Sequence, residues 1–167
     1  KNLINLITLN ILIMDRFKKM ILLKNIKIQY DYFIEKTYEA GISLEGWEVK
    51  SILAGKAQLV DSFVKSINGE LFIVGFTVQG LITANSHKVI DNNRFKKVLL
   101  HRKEINDLIG KVTIKGYTLM CNEVYKKDGK LKAKICLCKG KKNYDKRQSE
   151  KDKDIKINLN RKDFSKI

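Results

Sequence analysis

The sequence predicts a mainly β protein: a small antiparallel barrel with short flanking helices and a basic C-terminal tail. Three observations carry this. Two alternating apolar and polar stretches turn at Asn68-Gly69 and at Asp128-Gly129, the strongest short signals for a hairpin. Two other stretches, around Val49 and around Leu108, place apolar residues at helical spacing. After Lys139 no apolar face persists, so the chain there cannot bury enough surface to fold alone. A two-sheet sandwich is the alternative arrangement of the same strands.

The chain has 167 residues, enough for one well-packed core. Its net charge of +16 calls for a polyanionic partner. Nucleic acid is the first candidate and an anionic membrane surface the second. Three cysteines cannot all pair within one chain, which points to a reducing cytoplasm. His87 and His101 are the sole histidines, so no histidine-rich metal or catalytic site is expected, and no cofactor is implied.

The elements follow in order. Lys1 to Met14, KNLINLITLNILIM, is mostly apolar but broken by Asn5 and Asn10. It is too short to span a membrane, which takes about 20 apolar residues. No small-residue cleavage site follows before Arg16-Phe17-Lys18-Lys19. Residues 1–24 are therefore expected to be an N-terminal extension, disordered or misannotated, with translation starting at Met14 or Met20; a secreted protein is the alternative. Tyr30 to Leu44 is rich in aromatic and β-branched residues and reads as a strand that bends or bulges at Gly41. EGWEVKSILAG suits a short helix with Val49, Ile52 and Leu53 on one face and Gly55 past its end. Trp47 near its start reads as a core plug.

Asp61–Ile67 and Glu70–Phe76 form the first hairpin, and Gly80–Asn93 a long surface loop. Val98–Leu100 is a short strand. Arg102–Lys115 is an amphipathic helix on Ile105, Leu108, Ile109 and Val112, stopped at Gly116. Tyr117–Lys139 is the second hairpin. With Asp128-Gly129 as its loop, one face carries Met120, Val124, Leu131, Ala133, Ile135 and Leu137, with Asn122 as the exception. The other face pairs Glu123 with Lys134 and Tyr125 with Lys132, and shows a row of lysines, Lys130, Lys132 and Lys134. This register sets Cys121 opposite Cys136, with Cys138 on the same face. Three nearby thiols could hold zinc with a fourth ligand, but no histidine is near, and inert thiols are the expectation. The size and charge suit a barrel of the oligonucleotide-binding type.

That barrel is expected over residues 25–138 and the tail over 139–167. The tail carries eleven Lys and Arg against five Asp and Glu. It is expected to be disordered when free and helical when held against a polyanion. The junction KGKKNYDKR, Lys139 to Arg147, sets Tyr144 amid five basic residues, a pattern that suits a phosphate backbone and one stacked base as well as a solvated lysine run.

Four strings in order, DYFIEKTYEAGISLEGWEVKSILAGKAQLVDSF, NGELFIVG, KKVLLHRKEINDLIGKV and KGKKNYDKR, resemble the SmpB family. These are small bacterial proteins that bind transfer-messenger RNA in ribosome rescue. The resemblance runs from about Asn25 to Asp154 and implies an oligonucleotide-binding-like barrel with a basic tail and no enzymatic activity. It implies binding of the tRNA-like end of transfer-messenger RNA. It further implies delivery of that RNA with elongation factor Tu, which holds its charged end, to a stalled ribosome. The tail would enter the small-subunit decoding site and messenger channel. The protein would be cytoplasmic, monomeric and away from membranes.

Asn25, Glu39 and Leu99 match the family's RNA-binding positions. Lys139, Gly140, Lys141, Lys142, Asp145, Lys146 and Arg147 match its ribosome-facing junction, and Tyr144 falls at an aromatic or His position. Two departures stand out: IKIQY after Asn25 has few basic residues, and the tail beyond Asp154 has lost charge clustering.

Two other functional classes fit the sequence less well. A general single-strand binder or ribosomal protein would space aromatic residues along an exposed sheet face, where the hairpin offers only Tyr125. A ribonuclease using His87 and His101 would need the two histidines together, and nothing in the sequence joins them.

Overall fold

The computed structural model describes residues 19–81, 91–114, 116–142 and 145. Strand β1 is Met20–Lys24, followed by helix α1 at Lys27–Asp31 and strand β2 at Tyr32–Ile42. Helix α2 is Gly46–Leu53. Strands β3, β4, β5, β6 and β7 are Ala57–Gln58, Phe63–Ile67, Glu70–Val74, Thr77–Val78 and Lys96–Leu99. Helix α3 is Arg102–Val112, and strands β8 and β9 are Tyr117–Lys127 and Lys130–Gly140.

The pairings run β8–β4–β5–β7–β2–β9 and return from β9 to β8, all antiparallel. They close a ring of strands, as the sequence predicts, rather than two facing sheets. Strand β1 pairs with the later half of β8, on the edge whose earlier half pairs with β4, and β3 with β6 makes a separate two-stranded ribbon. Inside the ring lie Tyr38, Ala40, Val64, Leu71, Ile73, Val98, Leu119, Val124, Ala133, Ile135 and Leu137, closed by Ile52 from α2 and by Ile105 and Leu108 from α3.

Both hairpins turn where expected. Asn68 and Gly69 have φ of 52° and 75°, and Asp128 and Gly129 have 51° and 74°. Two successive left-handed residues give the turn whose twist matches the flanking strands, and Asn, Asp and Gly tolerate it best.

Several expectations need correction. Residues 20–24 belong to the sheet: Met20 pairs with Lys126 and Lys24 with Glu123. The apolar and polar run MILLK reads as part of the preceding apolar segment, which hides a strand with one partner. Residues 1–18 lie outside the described residues. The irregularity in β2 falls between Ile34 and Lys36, not at Gly41. Gly41 is instead where β2 passes from β9 to β7, facing Lys132 on one side and Leu99 on the other. A side-chain carbon there would meet Leu99 Cβ at 3.2 Å, so Leu99 would have to give by a few tenths of an ångström.

The second hairpin keeps its register from the turn to Glu123–Lys134, then shifts at Asn122. Beyond the shift Cys121 faces Ile135, and Met120 faces Cys136. The bulge turns the earlier half of β8 over. Leu119 and Cys121 enter the main core, while Met120 joins Ile28, Cys136 and Cys138 under α1. Asn122, the polar misfit in the alternation, is thus the bulge itself. The three thiols do not share a face, so the predicted juxtaposition of Cys121 with Cys136 does not form. All three are free and buried. Burial holds the Cys136 thiol up at about 11 and the Cys138 thiol at about 12, so both stay protonated and unreactive at neutral pH. Among the described residues no group of His, Cys, Asp and Glu is arranged to hold a metal. No helix among them is long and apolar enough to cross a membrane.

The IKIQY segment overlaps α1; within it Ile28 is fully buried against Cys136 and Cys138, while Ile26, Lys27 and Gln29 are exposed.

Candidate nucleic-acid interface

One face of the ring gathers the charges of three adjacent strands. Pairing of β2 with β9 sets Glu39 beside Lys134, and pairing of β8 with β9 sets Glu123 beside Lys134 and Tyr125 beside Lys132. Period-two alternation then points Glu39, Lys127, Lys132 and Lys134 outward together, with Tyr125 on the same side but buried beneath them.

Glu39 is the hub. The Tyr125 phenol donates to its Oε2 at 2.7 Å. Lys127 Nζ reaches both of its oxygens at 3.2 Å, and Lys132 Nζ bonds to Oε1. The Lys132 hydrogen bond, with those of Tyr125 and Lys127, holds the Glu39 carboxyl well below its usual range, at about 2. Burial and the Glu39 carboxylate push the Tyr125 phenol up, so it stays a donor. Behind it, Lys19 Nζ stands 4.2 Å from the Tyr125 ring centre and 2.6 Å from Glu123 Oε2.

A carboxylate does not attract phosphate. Its work here is to hold two lysines and a phenol in one arrangement, which lowers the entropy lost when a polyanion docks. Because the folded value lies below the ordinary 4.5, these contacts stabilise the fold above that pH, and the stabilisation fades as pH falls toward 2. The carboxylate is 41% exposed, so water screens the pairs, and the contribution is at most about 1 kcal/mol. Acid titration of stability should therefore fall less between pH 4.5 and 2 in Glu39→Gln than in the parent chain. Identical slopes would show that Glu39 is unpaired in solution.

Next to the hub lies an open groove of about 410 Å³. Its floor is apolar, from Ile42 at the end of β2, Leu44 after it, Val49 and Leu53 of α2, Leu99 of β7 and Leu131 of β9. Its rim carries Lys126, Lys130 and Lys132. Leu99 is half exposed, at 51%, and so presents its side chain to a ligand. An apolar floor with a cationic rim suits a base or sugar with a phosphate beside it.

Of the residues expected from the sequence, Glu39, Leu99, Lys130, Lys132 and Lys134 come together on this face. Asn25 does not reach the surface. It is fully buried, its backbone N–H donates to the Asn122 carbonyl at 2.8 Å, and its side-chain amide donates to the carbonyls of Leu59 and Val60 at 3.1 and 2.9 Å. It clips β1 to the bulge and to the turn before β4. Lys139 and Gly140 finish β9, Lys141 and Lys142 follow, and Asp145 has helical backbone. Tyr144, Lys146 and Arg147 lie outside the described residues, as does His87. His101 caps α3, its backbone N–H donating to Glu104 Oε2 at 3.1 Å.

Sequence reasoning missed Lys19, Lys127, Val49 and Leu53 as members of this face. The signal for Lys127 was present in the second hairpin's register. The others depend on pairings between distant segments, which no local pattern encodes.

The model of the SmpB protein family matches residues 22–164. The SsrA-binding protein of Albidiferax ferrireducens is 48% identical over 137 residues, covering 82% of this chain and 87% of its own. That of Nitrosospira multiformis is 50% identical over 135 residues, covering 81% and 92%. A chain of the solved structure "tmRNA-SmpB: a journey to the center of the bacterial ribosome" superposes with a TM-score of 0.59 at 39% identity, over 72% of this chain and 85% of that one. The family match extends past Asp154, into the part of the tail that has lost charge clustering. The family match over residues 22–164, with relatives 48% and 50% identical over most of their length, places this chain in the SmpB family.

Proposed function

We propose that the protein binds transfer-messenger RNA and delivers it to stalled ribosomes for trans-translation. The observation that carries this is the Glu39–Tyr125–Lys132 hub beside the Leu99 groove, on a chain of this family. Lys130, Lys132 and Lys134 contact phosphate. The groove takes an unpaired nucleoside of the tRNA-like end, and Glu39 sets the lysines. Asn25 acts indirectly, by holding β1 and with it Lys19 behind Tyr125. The barrel spans about residues 20–140, and the tail from Lys141, with Lys142, Tyr144, Asp145, Lys146 and Arg147, meets the small-subunit decoding site and messenger channel. Elongation factor Tu is engaged through the charged RNA. The protein works in the cytoplasm, as a monomer and without catalysis.

Phosphate contacts release counterions, so binding should weaken steeply with salt. Changing Lys130, Lys132 and Lys134 together to alanine should lower the slope of log affinity against log salt by roughly 2 to 3. Fluorescence anisotropy across a salt series checks this. An unchanged slope would place the RNA elsewhere.

A further inference from the structure

The outward row of β9 does not stay open to water. Lys130, Lys132 and Lys134 point outward, and the same alternation continues to Cys136 and Cys138, which are fully buried. The two cysteines form a small cluster with Ile28, Tyr32, Ile34 and Met120, apart from the main core. Cys121, by contrast, lies in the main core. Over the pair sits Ile28 of α1, and α1 is lightly held. It has five residues, no side chain caps its start, and Ile28 is its one buried residue. A helix this short has little stability of its own. The Lys27–Asp61 ion pair at 3.2 Å is largely exposed on both sides, so water screens it. At the other end, Lys141 donates its backbone N–H to the Asp31 carbonyl and its ammonium to the Gln29 carbonyl, both at 2.9 Å. A segment with so few buried apolar contacts opens locally, at less cost than unfolding the whole.

We propose that Cys136 and Cys138 form a cryptic modification site, exposed when α1 lifts, at which a small disulfide adds to the thiols. With α1 seated, both are shielded and protonated. With α1 lifted they meet water, and their acidity returns toward the ordinary thiol value of about 8.5. A thiolate then attacks one sulfur of the small disulfide. The new S–S bond forms as the old one breaks, the second half leaves as a thiolate, and the proton of the cysteine goes to solvent. The adduct is larger than a close-packed cluster can take in, so Ile28 does not reseat. Because α1 carries the two carbonyls that hold Lys141, the modified chain loses those contacts as well. The site is a property of the free chain, and neither cysteine lines the Leu99 groove, so it stands or falls apart from RNA binding.

The test is timed modification of the native full-length chain by dithiobis-nitrobenzoate, itself a small disulfide, with peptide mass mapping of the adducts. Cys121 is the internal control, because the main core opens only when the whole fold does. Cys136 and Cys138 should react at least about tenfold faster than Cys121. Urea below the unfolding transition should speed Cys121 steeply and the pair little, since a local opening exposes little surface. Ile28→Ala should speed the pair by about a further tenfold, and the milder Ile28→Val by about threefold, each with a smaller effect on Cys121. Lys27→Ala should speed it by about twofold. In the modified chain the Lys141 amide should exchange hydrogen about tenfold faster than in the parent. Reaction of all three thiols at one rate, with one urea dependence, would mean that only global unfolding exposes them and would overturn the proposal. So would a pair whose rate relative to Cys121 is the same in the parent, Ile28→Ala and Ile28→Val, or a modified chain whose Lys141 amide stays as protected as before.

Discussion

Replacing Glu48 by alanine is expected to cost about 3–5 kcal/mol of folding stability, because it strands buried positive charge. Glu48 and Lys96 are both fully buried. Glu48 Oε2 accepts from Arg94 Nη2 at 2.5 Å and from the Glu45 backbone N–H at 2.7 Å. Lys96 Nζ lies 3.7 Å from Glu48 Oε1 and donates to the Phe76 carbonyl at 2.6 Å. Burial pushes the Lys96 ammonium below its usual value even with this carboxylate beside it. Without Glu48, Lys96 keeps one neutral acceptor and faces the Arg94 guanidinium uncompensated. Urea unfolding would measure the loss. A cost under about 1 kcal/mol would mean the group is as well solvated as a surface ion pair. The network bears on function because it ties α2, which floors the groove with Val49 and Leu53, to β7, which carries Leu99.

Leu99→Glu should weaken binding of transfer-messenger RNA about a hundredfold at fixed salt, since like charges set against each other in an interface cost several kcal/mol. At 51% exposure the site tolerates a carboxylate without unfolding. That carboxylate would pair with Lys130 and Lys132 across the groove and repel the incoming phosphates. Leu99→Met keeps the apolar floor and should stay within about threefold of the parent. Equal affinity for all three chains would show that the RNA does not approach the groove.

The parts of this fold that could be read from sequence are those fixed within a few residues. Asn68-Gly69 and Asp128-Gly129 set their hairpins by turn geometry alone, and the pairs Glu123–Lys134 and Tyr125–Lys132 follow from the second turn. Reading stopped at Asn122, where one extra residue inverts every side chain before it. The alternation had marked that position as an exception, but a polar residue in an apolar row does not say that it is a bulge. Pairing of β2 with β9 joins segments about a hundred residues apart, so the contact of Glu39 with Tyr125, Lys127 and Lys132 had no local trace. The buried Glu48–Lys96 pair was hidden for the same reason, because each residue alone looks like ordinary surface charge. Asn25 shows the converse. Its place in the family pattern singles it out, and only the fold shows that it lies in the interior.

The central claim is that this lysine face and groove select one RNA rather than any polyanion. The most direct measurement is competition at fixed, near-physiological salt. Labelled transfer-messenger RNA is challenged with excess bulk tRNA and with an unrelated RNA of equal length. The expected result is that the protein holds its RNA against both, and that Leu99→Glu loses this advantage. Equal competition by all three RNAs would contradict the account and leave a nonspecific basic binder.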